Sequence, residues 1–538
     1  MRPDPANPTP PRPWLALLAD APMLGMAIAV LVLLVQSASG RIGYPFDLEW
    51  MEGGMLLHAL RLHEGQGLYV EPTADFIPFI YPPLYHWLVA AFGALFGLDY
   101  AVGRALSFGG TLVGTLALVV AVRGEGTRSS WAMGIGAAGL FLSGYDESGT
   151  FYDLVRIDGV LMALLGWSLV AIRHGWLRAG GLLLVLAYLT KHNAAVFGLP
   201  ALIWIWQGQG RAEALRFASW SVLPALAATG ALLLEGDGMF LTYILGVPSA
   251  HGFVAERFFK TAPLELAQVL AWTTRAAIVL TAVAALGKAG LRLTRGHHYW
   301  IAQGALALLL CLVMRGHVGG YKNVLIPGFW MLALWGALSL DLLRHRLAAG
   351  RAGFAVRLGT ALLVAITLWQ GRWDVAKTQP STADIEAGER LVERVAAVDG
   401  TVWAPWSPWL LHKAGKAPGL HLIGLWDIDH DRGPLKPAVD AVRADVANQR
   451  WDVIIVANDK LGYGLKDGYA RAETVRPAGN ALMPKTGWRV RPKAFWRPKQ
   501  RPNQGATAPQ RPESSVPSVE SEPSEPSEPS EPSSKPGG

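Results

Sequence analysis

The stretch RIGYPFDLEWMEGGMLLHALRLHEGQGLYVEPTADFIPFIYPPLYHW, residues 41–87, is a polar interruption between long apolar runs. It gathers three carboxylates, Asp47, Glu49 and Glu52, directly after the first apolar run, and an amphipathic segment follows within residues 53–69. Acidic groups close to a bilayer surface are unfavourable by default, and they mark candidate sites. The stretch is therefore predicted to be an active-site loop that lies on a membrane.

The composition predicts an integral membrane protein. Of the 538 residues, 51% are hydrophobic and 17% are charged, with 22 tryptophans, whereas soluble globular chains carry about 25% charged residues. The net charge of +7 comes from basic residues in short loops between apolar runs, which is typical of cytoplasmic loops rather than of a nucleic-acid-binding face. The single Cys311 excludes a disulfide within the chain and a thiolate zinc site.

The apolar runs predict a mainly α-helical bundle with about eleven membrane spans. These spans cover about residues 22–38, 102–122, 131–142, 160–172, 180–206 as two short spans, 219–234, 267–286, 300–314, 324–342 and 353–368. Nearly all Lys/Arg-rich short loops fall on one side if residues 82–97 lie in the interface instead of crossing. That side is then cytoplasmic, and the carboxylate loop faces outward.

The predicted organisation has four parts. Residues 1–20 form a disordered cytoplasmic N-terminus, and residues 21–370 form the membrane domain, with a catalytic loop at 39–102. Residues 371–500 form a small extracytoplasmic α/β domain, because WDVIIVA (451–457) is typical of a buried strand. The SEPSEPSEPSEPS repeat places residues 501–538 in a disordered tail. The expected location is the bacterial cytoplasmic (inner) membrane, with multiple passes.

Outward carboxylates at a bilayer suit a substrate that keeps a tail in lipid and a polar group in water. A sugar on polyprenyl phosphate has this form, and its departing phosphate needs no general acid. Such a reaction needs a base for the acceptor and cations for the phosphate. Asp47 or Glu49 could supply the base. The candidate cations lie in or beside outward loops, and they are Arg104, Arg156, Lys191, Arg257 and Lys322.

Further candidates lie in other outward segments. Asp158 could assist the base, and Asp47 with Asp158 could hold a divalent cation, Mg²⁺ or Mn²⁺, through oxygen ligands. His251 and Arg257, within residues 235–266, are predicted to form a substrate loop together with Asn323. Two simpler interpretations stay open. Arg156 could pair with the nearby Asp153, and Tyr81 could be structural.

The order of these motifs resembles the GT-C glycosyltransferases, which include protein O-mannosyltransferases, the lipid A aminoarabinose transferase and the oligosaccharyltransferase catalytic subunit. In that fold an acidic motif follows the first span, then an amphipathic helix, then an interfacial helix that contains Pro-Pro. The matching segments here are DLEWME (47–52), residues 53–69, YPPLYHW (81–87), RID (156–158), Thr190–Lys191 and GGYKNVLIP (319–327). The resemblance covers roughly residues 20–345.

The resemblance implies a glycosyltransferase that moves a sugar from a polyprenyl-phosphate donor to a lipid, glycan or protein acceptor outside the membrane. It implies catalytic roles for Asp47, Glu49, Glu52 and Asp158, and no nucleic-acid partner. The usual acidic motif is Asp-Glu, but Met51 stands where the Asp is expected. The base is therefore open between Asp47, which is preferred, and Glu49.

Two other function classes remain in view. A transporter or flippase of lipid-linked saccharides would also have many spans, but transporters often show internal repeats and charged groups near the midplane. This sequence has no convincing repeat, and its acids lie in a loop. A non-catalytic scaffold is the third alternative, and it would tolerate alanine at every loop carboxylate.

Overall fold

The computed structural model describes residues 13–125, 130–269, 293–347, 353–457, 461–475, 477 and 479–499. Most of the predicted N-terminal disorder, the tail 501–538 and nearly all of the predicted span 267–286 lie outside these residues.

Long helices dominate the first two thirds of the chain. They are α1 (Pro13–Ile42), α2 (Glu52–His63), α3 (Leu84–Phe96), α4 (Tyr100–Glu125), α5 (Ser130–Leu142), α6 (Asp158–Arg173), α7 (Leu177–Thr190), α8 (Gly198–Gln209), α9 (Arg211–Glu235), α10 (Met239–Leu241), α11 (Val247–Ala250), α12 (Ala262–Val269), α13 (Arg295–Gly316), α14 (Ile326–Leu347) and α15 (Gly353–Gln370). Shorter 3-10 and π turns join several of them, at Phe151–Asp153, Thr242–Gly246, His192–Phe197, Arg257–Thr261 and Lys322–Leu325.

Six helical segments in the described part of the chain are long and apolar enough to cross a membrane. They are Trp14–Ile42, Tyr100–Glu125, Arg211–Glu235, Arg295–Gly316, Lys322–His345 and Gly353–Gln370. The prediction of a polytopic helical bundle is confirmed, while the number of about eleven spans stays a prediction. Helix α3 has 13 residues, about 20 Å, which is shorter than the roughly 30 Å hydrocarbon core and fits the interfacial interpretation.

Helices α4 and α6 touch through glycines, which sets the position of the segment before α6. A Cβ at Gly110 would lie 2.6 Å from the carbonyl carbon of Gly159, so only glycine permits this approach. Near the same end, Ser107 Oγ donates a hydrogen bond of 2.7 Å to the carbonyl of Arg156. The close packing thereby fixes the start of α6 beside the N-terminal half of α4.

The C-terminal region contains a four-stranded sheet and short helices. The strands are β1 (Val402–Trp403), β2 (Val453–Val456), β3 (Tyr469–Thr474) and β4 (Ala494–Pro498), and the helices are α16 (Val375–Thr378), α17 (Thr382–Ala396), α18 (Trp409–Lys413), α19 (Leu422–Ile428), α20 (Lys436–Ala447) and α21 (Leu465–Gly468). The sheet order is β1-β2-β4-β3, with β1 and β2 parallel and the other pairs antiparallel. The predicted small α/β unit is confirmed as a fold, whereas its boundaries at 371 and 500 stay predictions.

The C-terminal region packs directly on the carboxylate loop. The backbone amides of Lys485 and Thr486 donate to the carbonyl of Leu48 at 2.8 and 3.2 Å, and Glu49 pairs with Thr486 as an isolated parallel bridge. His421 Nε2 forms a 2.8 Å hydrogen bond with the carbonyl of Trp50. The loop is therefore held between the helical bundle and the sheet-bearing region.

Candidate active site

Glu52 and Arg104 form a fully buried ion pair at the first turn of α2. Arg104 Nε donates to one oxygen of Glu52 at 2.9 Å, and Nη2 donates to the other at 2.7 Å. The remaining guanidinium hydrogens reach the backbone carbonyls of Arg41, Tyr44 and Phe46. A guanidinium has five N–H donors. All five are engaged, so none is left for a phosphate in this conformation.

Glu52 also joins two distant backbone segments. It accepts hydrogen bonds from the amides of Leu48 at 2.7 Å and Val155 at 2.8 Å. Burial opposes its ionisation, but the Arg104 guanidinium and these donors outweigh burial and hold the pKa of Glu52 below its usual value. The geometry gives Glu52 and Arg104 a positioning role. Their predicted roles in catalysis and phosphate binding are untested.

Asp47 lies on the side of the loop that faces the C-terminal region. One of its oxygens accepts hydrogen bonds from the Gly53 amide and the Tyr100 hydroxyl, both at 2.9 Å. Burial, with the nearby Glu52 charge, raises the pKa of Asp47 to about 7. The carboxyl lines a cleft of about 470 Å³, counted with its open mouth, whose other walls include Tyr44 and Leu410. Asp47 is thus a titratable group in a narrow cleft.

Glu49 points instead toward the start of α6. Its carboxylate lies 3.6 Å from Arg156 Nη1 and is 2% exposed, and Arg156 Nη2 donates to the Tyr81 hydroxyl at 2.9 Å. Burial raises the pKa of Glu49 to about 8, although Arg156 opposes the rise. Arg156 does not pair with Asp153, which is bound to Arg41 at 3.0 Å; that simpler interpretation is wrong.

Asp158 and Lys191 continue this group of charges. Lys191 Nζ lies 3.6 Å from one oxygen of Asp158, and Asn323 Nδ2 donates to the other at 3.0 Å. Asp158 also interacts electrostatically with Arg156 and Tyr81. We call Glu49, Tyr81, Arg156, Asp158, Lys191 and Asn323 the polar cluster. It unites five of the residues predicted from the sequence with Tyr81, which had been interpreted as structural.

An apolar cavity opens beside Lys191. Its volume is about 350 Å³, counted with its open mouth, and its walls come mainly from α6, α13 and the segment between α7 and α8. The wall residues are Leu161, Leu165, Lys191, Asn193, Ala194, Phe197, Ala307, Leu310, Cys311, Met314, Val324 and Pro327. Lys191 is the charged group among these wall residues. The cavity therefore suits an apolar chain with an anionic end.

Histidines from three segments meet near the polar cluster. The rings of His317 and His430 lie 5.0 and 4.7 Å from the ring of His251. His251 Nε2 forms a 2.9 Å hydrogen bond with the carbonyl of Asp427, and burial raises the pKa of the Asp427 carboxyl to about 7. His251 is thus placed near the cluster by its contact with the C-terminal region.

The other predicted residues lie apart from these groups. Lys322 lies 3.7 Å from Glu147, and both side chains are about one third exposed. Arg257 begins a π turn and is half-buried, and within the described chain its side chain makes no hydrogen bond or ion pair. The structure gives neither cation a place in the polar cluster, and their predicted roles are untested.

Asp47 and Asp158, the predicted metal ligands, have different partners in the structure. Asp47 is bound to Gly53 and Tyr100, whereas Asp158 is bound to Lys191 and Asn323. A hard divalent cation takes about six oxygen ligands, and no group of three or more His, Cys, Asp or Glu side chains in the described residues could hold a metal ion. Binding of Mg²⁺ or Mn²⁺ by Asp47 and Asp158 stays a prediction.

Sequence reasoning missed Asp427, Gly487 and the role of Tyr81. Tyr81 stands in the YPP motif, so its hydroxyl could have been considered beside the RID motif. Asp427 and Gly487 are far away in the sequence from the carboxylate loop, and no local pattern marks them. A Cβ at Gly487 would lie 2.6 Å from Glu49 Oε1, and its φ of +69° also favours glycine.

Comparisons with known proteins agree with this architecture. The model of glycosyltransferase family 87 matches residues 79–287. ArnT from Cupriavidus metallidurans in the apo state has a TM-score of 0.57 at 12% identity, covering 87% of this chain and 96% of that chain. Its structure bound to undecaprenyl phosphate gives a TM-score of 0.55 at 12% identity, with 88% and 97% covered.

A more distant likeness is to the Archaeoglobus fulgidus oligosaccharyltransferase, with a TM-score of 0.44 at 13% identity over 73% of this chain and 64% of that one. No curated protein sequence matches the chain. At 12% identity the likeness to ArnT shows the fold alone, which is that of the GT-C glycosyltransferases. The family match adds the activity class, and together they identify the chain as a multi-pass membrane glycosyltransferase with the GT-C fold.

Proposed function

We propose that the protein transfers a sugar from a polyprenyl-phosphate-linked donor to an acceptor on the extracytoplasmic side of the bacterial cytoplasmic membrane. The observation that carries the proposal is the position of Lys191. This cation stands at an apolar cavity of about 350 Å³, counted with its open mouth, and is part of the polar cluster through Asp158. The ArnT structure solved with undecaprenyl phosphate supports a donor of this chemistry.

The donor would bind across the boundary between the apolar cavity and the polar cluster. Part of its polyprenyl chain would occupy the cavity, where burying apolar surface contributes about 25 cal/mol per Å². Its phosphate would lie between Lys191 and Arg156. The Nε atom of Arg156 is buried without a hydrogen-bond partner, so this guanidinium, unlike that of Arg104, has a donor to offer.

Glu49 would act as the base, because it lies 3.6 Å from a cation of this donor site. The Glu49 carboxylate would take the proton of the acceptor hydroxyl or amine, whose lone pair forms the new bond to the anomeric carbon. The bond from that carbon to the phosphate oxygen breaks, and its electron pair leaves with polyprenyl phosphate. A single displacement of this kind inverts the anomeric carbon.

Asp158 and Asn323 would position the cation rather than meet the substrate. Asp158 takes a 3.6 Å contact from Lys191 and a 3.0 Å hydrogen bond from Asn323. This arrangement fixes the lysine side chain at the cavity mouth, and pre-ordering a cation reduces the entropy lost when the phosphate binds.

The test is transfer from a radiolabelled polyprenyl-phosphate sugar in proteoliposomes, with membrane extracts as the source of acceptor. Glu49→Gln is expected to lower the rate by about 10²–10⁴, the usual contribution of a general base. The matched variant Asp47→Asn, on the same loop, should keep transfer within about tenfold of wild type, since Asp47 is not in the cluster.

Three results would contradict the proposal. Full loss with Asp47→Asn and retention with Glu49→Gln would move the base to Asp47. Wild-type protein that moves no sugar from any such donor would refute the donor class. Movement of intact lipid-linked sugar across the bilayer without acceptor would favour the flippase alternative.

A further inference from the structure

Three tryptophans form a continuous aromatic surface beside the carboxylate loop, which we call the aromatic platform. Trp50 lies on the loop, and Trp426 and Trp488 belong to the C-terminal region. The ring centroids of Trp488 lie 5.2 Å from Trp50 in an edge contact and 4.9 Å from Trp426 in a tilted contact. These distances are those of directly packed aromatic rings, so the three indoles hold one another in place.

The platform is covered on one side and open on the other. Trp50 is 7% exposed, whereas Trp488 is 39% exposed. Trp50 is fixed further by the ring of His421, whose centroid lies 5.1 Å away. An exposed indole on a rigid aromatic support is a preformed binding face, because little side-chain entropy is lost when a ligand covers it.

The Glu49 carboxyl lies close to the open indole. Gly487, the residue before Trp488, lies against Glu49, since a Cβ there would be 2.6 Å from Glu49 Oε1. Asp427 follows Trp426 directly, and its side chain is 14% exposed and lies 3.9 Å from His251 Nε2. The platform therefore combines a flat apolar face with the Glu49 carboxyl beside the residue that precedes Trp488.

This combination matches one class of ligand. A pyranose or furanose ring has a face of C–H bonds that stacks on an aromatic ring, and hydroxyls at its edge that hydrogen-bond to carboxyl groups. An apolar lipid chain would cover Trp488 but would form no hydrogen bond with the Glu49 carboxyl beside it. A sugar ring satisfies both parts of the surface.

We propose that the acceptor is a saccharide whose terminal ring stacks on Trp488 and places a hydroxyl at Glu49. The inference rests on the proposed function, because it names the acceptor class of the same reaction. Trp488 is then a specificity-determining residue, and it explains why the C-terminal region is packed onto the loop through Lys485 and Thr486.

The first experiment measures saccharide binding without any donor. The full-length protein in lipid nanodiscs is applied to an array of oligosaccharides that end in hexoses, pentoses or amino sugars. Wild type should retain at least one glycan, and Trp488→Ala should weaken it by about tenfold or more, as expected for one lost stacking contact. Trp488→Phe should keep most of the signal. Trp369→Ala is the control, since Trp369 is 56% exposed at the end of α15.

The proposal is overturned if wild type retains no glycan, or if Trp488→Ala retains it as strongly. The second experiment uses the retained glycan, free and lipid-attached, as acceptor. If the wild type transfers sugar to this glycan, Trp488→Ala should raise the KM for the acceptor about tenfold and leave the KM for the donor unchanged. An unchanged acceptor KM refutes the platform and leaves the transferase. If Trp488→Ala loses glycan binding and the wild type transfers no sugar, the aromatic platform is supported and the transferase function is refuted.

Discussion

Replacing Arg104 with alanine separates two roles for this residue. The sequence predicted a phosphate-binding cation, whereas the structure shows a side chain that is 0% exposed and fully engaged with Glu52 and three carbonyls. Removing one partner of a buried ion pair costs about 3–5 kcal/mol. Each buried carbonyl left without a donor adds about 1–3 kcal/mol unless water reaches it. We therefore expect Arg104→Ala to destabilise the protein by at least about 3 kcal/mol.

The assay is thermal unfolding of purified protein in one detergent, followed by intrinsic tryptophan fluorescence, with Arg104→Ala compared with Glu52→Gln and the double variant. Glu52→Gln leaves the Arg104 charge buried without its partner, so its loss should be of similar size. The two losses should not add, because both variants remove the same contact. Arg104→Lys should also destabilise, since an ammonium has three donors and cannot replace a five-donor fork.

A stable Arg104→Ala variant would refute this reasoning. If its unfolding midpoint matched wild type while its donor KM rose, Arg104 would be the phosphate ligand predicted from the sequence. Additive losses for the Arg104 and Glu52 variants would show that the two side chains do not act as a pair.

Three further predictions follow from the polar cluster. Lys191→Ala should raise the donor KM about 10–100-fold, the value of a charge-assisted hydrogen bond. Lys322→Ala should change the donor KM less than about threefold, because Lys322 and its partner Glu147 are about one third exposed. Steady-state kinetics with varied donor concentration measure both values. The base must be deprotonated to act, and burial raises the pKa of Glu49 to about 8, so transfer should rise with pH and level off above about pH 8. Arg156→Gln removes the cation that lowers the pKa of Glu49, so the midpoint of the pH–rate profile should move to higher pH. A shift to lower pH, or no shift, contradicts Glu49 as the base. Gly487→Ala should lower kcat about tenfold by displacing Glu49, with the unfolding midpoint as its control, and unchanged kcat would show that the contact is unimportant.

The membrane fold was predictable because its determinants are local. The composition of each apolar run and each short basic loop indicates where that segment lies relative to a bilayer. The order of the DLEWME, YPPLYHW and RID motifs matched a known architecture. The same local patterns predicted the strand near Val453, which the sheet confirms. The number of spans was less predictable, since helices such as α5, with 13 residues, are apolar but shorter than a bilayer requires.

The roles within the site were less predictable, because carboxylates two to five positions apart on an irregular loop can face different surroundings. Asp47 faces Tyr100, Glu49 faces Arg156 and Glu52 faces Arg104. In a regular extended segment, residues two positions apart, such as Asp47 and Glu49, would point in the same direction. The loop is not a regular strand, and each carboxylate is directed by a partner far away in the sequence.

The distribution of cations shows how one charge type serves two purposes in this fold. Arg104 has every donor engaged in holding the loop to α4, so its contribution is geometric. Arg156 retains an unpartnered buried Nε, and Lys191 stands at the apolar cavity, so both can respond to a ligand. A buried cation with all its donors engaged stabilises, whereas one with a donor to spare is poised to bind an anion. The unused donor makes Arg156 a better candidate for a phosphate ligand than Arg104, and the apolar cavity beside Lys191 makes that lysine the second candidate.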